Sequence, residues 1–204
     1  MDVAIIDYGM GNLLSVKRAF EKCGAKPEII DDPLKLREAD RIVLPGVGAF
    51  PDAMHNLREG GWIDELNLAV LEDRVPILGI CLGMQLLARK GFEGRECAGL
   101  GYIPGTIEKL RPVNEAERIP HVGWNDVCFR SDQMIFDQIE DGTNFYFVHS
   151  YHFVPENEAD IAATTPYCDC FVSAVARENI IGTQFHPEKS QRAGFQLIRN
   201  FLKM

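Results

Sequence analysis

Apolar residues in the first half of the chain fall into short blocks separated by polar, glycine-containing turns, and the spacing switches between the periods of strands and helices. Residues 3–6 are an unbroken apolar strand, residues 7–12 a loop, and residues 13–23 carry helical spacing that stops at Gly24. Residues 28–30 predict a second strand. Asp31-Asp32-Pro33 then offers an acidic cap with an early proline, opening a short helix over 34–39. A third strand over 41–44 runs into Pro45-Gly46-Val47-Gly48, and residues 62–71 have helical spacing. Residues 75–80 are apolar throughout, as in a strand buried on both faces, and strong helix formers follow over 82–87.

Beyond Ala88 the pattern changes. Glycines at 91, 94, 99, 101 and 105 mark a long loop, and the later segments read mainly as strands, over 106–110, 122–129, 145–148, 161–165, 171–176 and 180–185. The polar step between the last two suggests a hairpin. Residues 191–204 form an amphipathic helix with Phe195, Ile198, Phe201 and Leu202 on one side. The expected fold is therefore α/β: one open, largely parallel sheet with helices on both faces and an added antiparallel region in the C-terminal half. At 204 residues the chain is expected to form a single domain over 1–204.

Composition narrows the function classes. Hydrophobic residues make up 46% and charged residues 25%, with no low-complexity run, as in an ordinary globular protein. Lys plus Arg number 21 against 30 Asp plus Glu, a net charge of -9, which disfavours nucleic acid as a partner because phosphate neutralisation needs concentrated positive charge. No apolar run reaches a membrane-spanning length, and Met1-Asp2 leads straight into an apolar strand without a charged and then apolar leader pattern, so no targeting to a membrane is expected. Six cysteines without scaffold spacing fit a reducing compartment, so a cytoplasmic protein without membrane contact is expected. The histidines lack metal-site spacing, and Cys168-Asp169-Cys170 reads by default as a loop pair, so no metal is expected. Gly9-x-Gly11 lacks the third glycine of a dinucleotide fingerprint, and no cofactor is expected.

Candidate chemistry centres on Gly79-Ile80-Cys81-Leu82-Gly83, where the apolar strand meets the helix. This is the G-x-S-x-G nucleophile-elbow pattern with sulfur in place of oxygen; its glycines remove side chains where a sharp turn crowds the backbone. A thiolate is favoured at a helix N-terminus by free N–H groups. The alternative is a plain core cysteine. Gln184-Phe185-His186-Pro187-Glu188 supplies a base and an acid two residues apart, which point the same way from an extended segment. The Pro45–Gly48 turn at a strand end suits either an anion hole or an ordinary βα turn.

The elbow, the Pro-Gly-Val-Gly turn and His186-Pro187-Glu188, in that order, resemble the triad glutamine amidotransferases. Tyr8-Gly9-Met10-Gly11-Asn12, Pro120-His121-Val122-Gly123-Trp124-Asn125 and Tyr146-Phe147-Val148-His149-Ser150-Tyr151 narrow the resemblance to the glutaminase subunits of imidazole glycerol phosphate synthases in histidine biosynthesis. Amidotransferases of other pathways share the elbow and triad but usually not the Pro-His-x-Gly-Trp-Asn segment. The resemblance implies a Cys81–His186–Glu188 triad that hydrolyses L-glutamine, and an oxyanion hole from Gly46, Val47, Gly48 and Leu82. It implies substrate contacts from Gln85, Glu93, Ser150 and Tyr151, with Glu93 suited to the α-ammonium and Gln85 offering a donor to the α-carboxylate. It also implies a heterodimer with a (β/α)8-barrel cyclase that uses the ammonia, docked near Asn12, Trp124, Tyr146 and Lys189. A non-catalytic subunit of the same fold is the alternative that the intact triad disfavours.

Overall fold

The computed structural model describes residues 1–129 and 133–204. The first half alternates as expected: β1 (Asp2–Ile6), α1 (Leu13–Lys22), β2 (Lys26–Ile30), β3 (Arg41–Gly46), α2 (Phe50–Glu59), α3 (Trp62–Asn67), β4 (Ile77–Cys81) and α4 (Leu82–Leu86). Strands β2, β1, β3 and β4 lie side by side and parallel. Their residues alternate between two cores. Ala4, Ile6, Ile42 and Leu44 meet Phe50, Met54 and Leu57 of α2 and Trp62 and Leu66 of α3, while Val3, Ile5 and Val43 meet Val16 and Phe20 of α1. Both faces of the sheet are therefore covered, which is why these strands read as continuous apolar runs.

The second half adds β5 (Ala88–Gly91), β6 (Cys97–Ala98), β7 (Ile103–Lys109), β8 (His121–Phe129), β9 (Thr143–His149), β10 (Tyr151–Pro155), β11 (Ile161–Thr165), β12 (Phe171–Arg177), β13 (Ile180–Thr183) and α5 (Gln191–Lys203). The main sheet runs β2-β1-β3-β4-β13-β12-β10-β7-β5-β6, and the β8–β9 ribbon joins it through β11. The expected hairpin is present: β12 turns through Glu178-Asn179 into β13, which is antiparallel to β12 and parallel to β4. Helix α5 closes the second core with Leu197, Ile198 and Phe201.

Several elements differ from the sequence-based expectations. Helix α2 was not expected, although Pro51 sits in its first turn and Phe50, Ala53, Met54 and Leu57 follow helical spacing onto the core. The segment expected as one long loop pairs as β5 and β6, because backbone pairing along β7 makes up for its glycine content. The expected short helix over 34–39 is a 3-10 helix, Pro33–Glu38. The helix expected over 62–71 is α-helical to Asn67 and then widens into π-type turns over Leu68–Glu72. Strand β10 is separated from β9 by Ser150 alone, too short a break to leave a turn signal.

Candidate active site

Register gathers the site. Gly46 of β3 lies beside Cys81 of β4, and Thr183 of β13 lies beside Ile80, so three neighbouring parallel strands run out at one edge. The chain leaving them carries Val47, Leu82 and His186 to the same place, the position where parallel sheets open crevices.

Cys81 is the last residue of β4 and the cap of α4, with φ 54° and ψ -106°. A non-glycine residue in such a conformation costs about 1–3 kcal/mol and persists only where its surroundings enforce it. The glycines enforce it. A Cβ at Gly79 would stand 2.6 Å from the Gly83 carbonyl oxygen, and one at Gly83 would overlap the Leu44 carbonyl oxygen. A Cβ at Gly46 would stand 2.9 Å from the Leu82 Cβ and against the Tyr8 hydroxyl. The elbow exists because three backbones approach closer than side chains permit.

His186 is 2% exposed, and its Nδ1 lies 2.8 Å from Glu188 Oε1. The two side chains do not project from an extended segment as expected. Pro187–Lys189 is a 3-10 turn closed by the Lys189 N–H on the His186 carbonyl, and this turn folds the carboxylate back onto the ring. The Ser190 hydroxyl donates to the same carbonyl at 2.7 Å, and the Tyr146 N–H donates to the Ser190 hydroxyl. With Nδ1 held by Glu188, the buried Nε2 has no hydrogen-bond partner and is the atom left to act on the cavity that His186 shares with Cys81. Burial opposes a charge on the ring, but the Cys81 sulfur and the Glu188 carboxylate outweigh it and raise the imidazole to about 10. The arrangement suits a thiolate beside an imidazolium, the pair that a nucleophile and its base form.

The cavity measures about 350 Å³, at the small end of ligand sites, and Gln85, Glu93, Ser150 and Tyr151 line it together with Val47, Gly48 and Leu82. Gly46 does not line it and packs behind the elbow. A larger groove of about 760 Å³ lies at the opposite end of β1, beside Asp2, Lys26 and Glu28, and holds no nucleophile. Glu93 Oε2 accepts the Phe50 N–H at 2.8 Å, which fixes the carboxylate and leaves its other oxygen for a cation. Gln85 requires a correction. Its Nε2 donates to the Tyr151 carbonyl at 3.0 Å and to Gln184 Oε1 at 2.9 Å, so both amide hydrogens are used. The group it can present is its carbonyl oxygen, an acceptor suited to an ammonium rather than a carboxylate.

Sequence reasoning passed over Gln184 and Tyr8. Gln184 is fully buried and its Nε2 lies 3.6 Å from Cys81 Sγ; its signal was a polar residue two places before His186 in an apolar run. The buried Tyr8 hydroxyl, without a hydrogen-bond partner, stands behind Gly46, and burial, aided by Cys81, pushes its pKa up so that it stays neutral. The Cys81 sulfur also lies 3.8 Å from the Val148 carbonyl oxygen.

Three of the expected interface residues cluster beside the site. Trp124 packs edge-on to Tyr146 at 6.0 Å, and Lys189 lies over the Tyr146 ring at 5.6 Å. Trp124 is 46% exposed, and the exposed Val122 and Val148 extend the same ribbon. Asn12 is the cap of α1, accepting the Ser15 N–H, and α1 packs beside the Pro187–Lys189 turn. Among the described residues no group of three or more His, Cys, Asp or Glu gathers as a metal site, and no helix is long and apolar enough to cross a membrane.

Known proteins resemble this chain over nearly its full length. The imidazole glycerol phosphate synthase subunit HisH of Geobacter sulfurreducens is 47% identical, covering 99% of this chain and 98% of its own. The subunit named HisH 2 of Methanococcus maripaludis is 46% identical, covering 98% of each chain. A solved structure described as a glutamine amidotransferase superposes with a TM-score of 0.76 at 20% identity, covering 98% of this chain and 97% of that one, a likeness of fold. Residues 4–204 match the profile of the class-I glutamine amidotransferases, and with these identities the chain belongs to that family.

Proposed function

We propose that this chain is the glutaminase subunit of an imidazole glycerol phosphate synthase, working in the cytoplasm on L-glutamine through Cys81, His186 and Glu188. The observation that carries the reading is Cys81 held at positive φ at the end of β4, over a cavity it shares with His186, whose ring the buried Glu188 holds from behind. The Cys81 sulfur attacks the side-chain amide carbon, and the oxyanion meets the Leu82 N–H and the Val47–Gly48 loop. Gly46, expected as part of this hole, acts instead as the spacer that lets Leu82 approach. His186 Nε2 gives a proton to the departing nitrogen, so ammonia leaves and a thioester remains. Water, deprotonated by the same nitrogen, then releases glutamate. Glu188 holds the ring orientation and its charge. Glu93 and the Gln85 carbonyl receive the α-ammonium, while Ser150 and Tyr151 close the far wall.

Free ammonia in water is mostly protonated and no longer nucleophilic, so the product is useful only if it passes directly to a second subunit. We assign that role to a (β/α)8-barrel cyclase in a heterodimer, docked on the exposed ribbon of Val122, Trp124 and Val148 with Tyr146 and Lys189 at its edge and Asn12 nearby. The test is glutamine hydrolysis by the chain alone and with the cyclase and its ribonucleotide ligand. Turnover that needs the cyclase, with a thioester trapped on the Cys81 peptide by acid quench, is expected. Turnover with no adduct on Cys81 contradicts the reading.

A further inference from the structure

A buried hydrogen-bond chain runs from the exposed ribbon to the substrate pocket. His121 and His149 are directly opposed on β8 and β9 and are 5% and 6% exposed. His149 Nδ1 lies 2.8 Å from the Tyr151 carbonyl oxygen, His149 Nε2 lies 3.0 Å from His121 Nδ1, and His121 Nε2 lies 3.2 Å from Asn125 Nδ2. The direction of every link is fixed by its end. A carbonyl oxygen only accepts, so His149 carries its proton on Nδ1, and its Nε2 is an acceptor in the neutral ring. His121 must then donate from Nδ1 and accept at Nε2 from the Asn125 amide. Burial lowers His121 to about 4 and His149 to about 3, which keeps both rings in this neutral state.

Beyond the Tyr151 carbonyl the links continue. That oxygen accepts Gln85 Nε2, the second Gln85 hydrogen goes to Gln184 Oε1, and Gln184 is thereby turned so that its Nε2 faces Cys81 Sγ. A neutral His149 in the other tautomer would set a lone pair against the carbonyl and push it from this position. Aromatic packing holds the rings in place, with His121 stacked on Tyr167 at 4.2 Å and His149 edge-on to Phe171 at 4.7 Å.

We propose that His121 and His149 are positioning residues for amide hydrolysis: they carry a one-way hydrogen-bond chain from Asn125 on the exposed ribbon to the Tyr151 carbonyl, and thereby set the Gln85 amide for substrate and the Gln184 amide against the Cys81 sulfur. The inference rests on the glutamine reading of the pocket. The ribbon that carries this chain on one face carries the exposed Trp124 and Val122 on the other.

The test is covalent labelling of Cys81 by a glutamine-shaped chloroketone, read as half-saturation and maximal rate, with iodoacetamide as a probe of the bare thiol. His149→Phe keeps the ring and removes the donor, and is expected to raise half-saturation about tenfold, the worth of one buried hydrogen bond. His149→Asn restores an N–H near the Nδ1 position and should return labelling to within about threefold of the parent; iodoacetamide rates should change in His149→Phe and return in His149→Asn, because the Gln184 amide faces the same sulfur. His121→Phe keeps the stack on Tyr167 and loses the donor to His149, and provides the same comparison should His149→Phe fail to fold. Unchanged chloroketone saturation in the folded Phe variant overturns the inference alone, as does a His149→Asn chain as impaired as His149→Phe. A parent chain that shows no saturable labelling overturns the glutamine reading itself, and this inference with it.

Discussion

Gly83→Ala separates helix propensity from close packing. Alanine is better than glycine in a helix interior by about 1 kcal/mol, and Gly83 lies within α4 without a positive φ, so propensity alone predicts a gain. The packing predicts the reverse. The new methyl would overlap the Leu44 carbonyl oxygen, a backbone atom of β3 clamped between β1 and β4, which cannot rotate away as a side-chain tip does. Overpacking of this kind costs about 1–3 kcal/mol, and more where backbone must move. The net expectation is a loss of about 1–2 kcal/mol despite the better propensity. Urea unfolding at unchanged m-value reads it as a lower midpoint. Because α4 must shift to relieve the clash, the Cys81 elbow shifts with it, and chloroketone labelling should slow in parallel. A variant as stable as the parent, or more so, would refute the claim that close backbone approach fixes the elbow.

Two further predictions concern titration. Glu188→Gln keeps the shape of the pair and removes its charge, so the His186 pKa should fall from about 10 and glutamine turnover should drop by roughly 10²–10⁴; an NMR titration of the His186 ring that does not move contradicts this role. His121 and His149 are held below their ordinary value, so the unfolded chain takes up protons first. Stability from their neutral burial is full above about pH 6.5 and is lost as pH falls towards 4, by up to about 1.4 kcal/mol per pH unit for each ring. Urea midpoints between pH 7 and pH 4 should show a flatter decline in His149→Asn than in the parent.

Much of the site was legible because its constraints are local. Gly79-x-Cys81-x-Gly83 is a short-range steric pattern, and the structure supplies its reason in the contacts with Leu44 and within the elbow. The parallel half of the fold was legible because strands covered on both faces leave unbroken apolar runs. The Gln85 donor assignment failed because an amide's free end depends on partners far away in sequence, here Tyr151 and Gln184. The His121–His149 chain was invisible for the same reason, since it rests on the β8–β9 register, which two histidines 28 positions apart do not announce. Helix α2 was missed although Pro51 and its apolar spacing carried a signal.

The most direct measurement is the nitrogen-source dependence of the two-subunit enzyme carrying Cys81→Ala. Synthesis from glutamine should vanish while synthesis from added ammonium salt persists at the parent rate, because the substitution removes the nucleophile and leaves the partner's chemistry untouched. Equal loss with both nitrogen sources, or retained synthesis from glutamine, would contradict an ammonia-supplying role for Cys81.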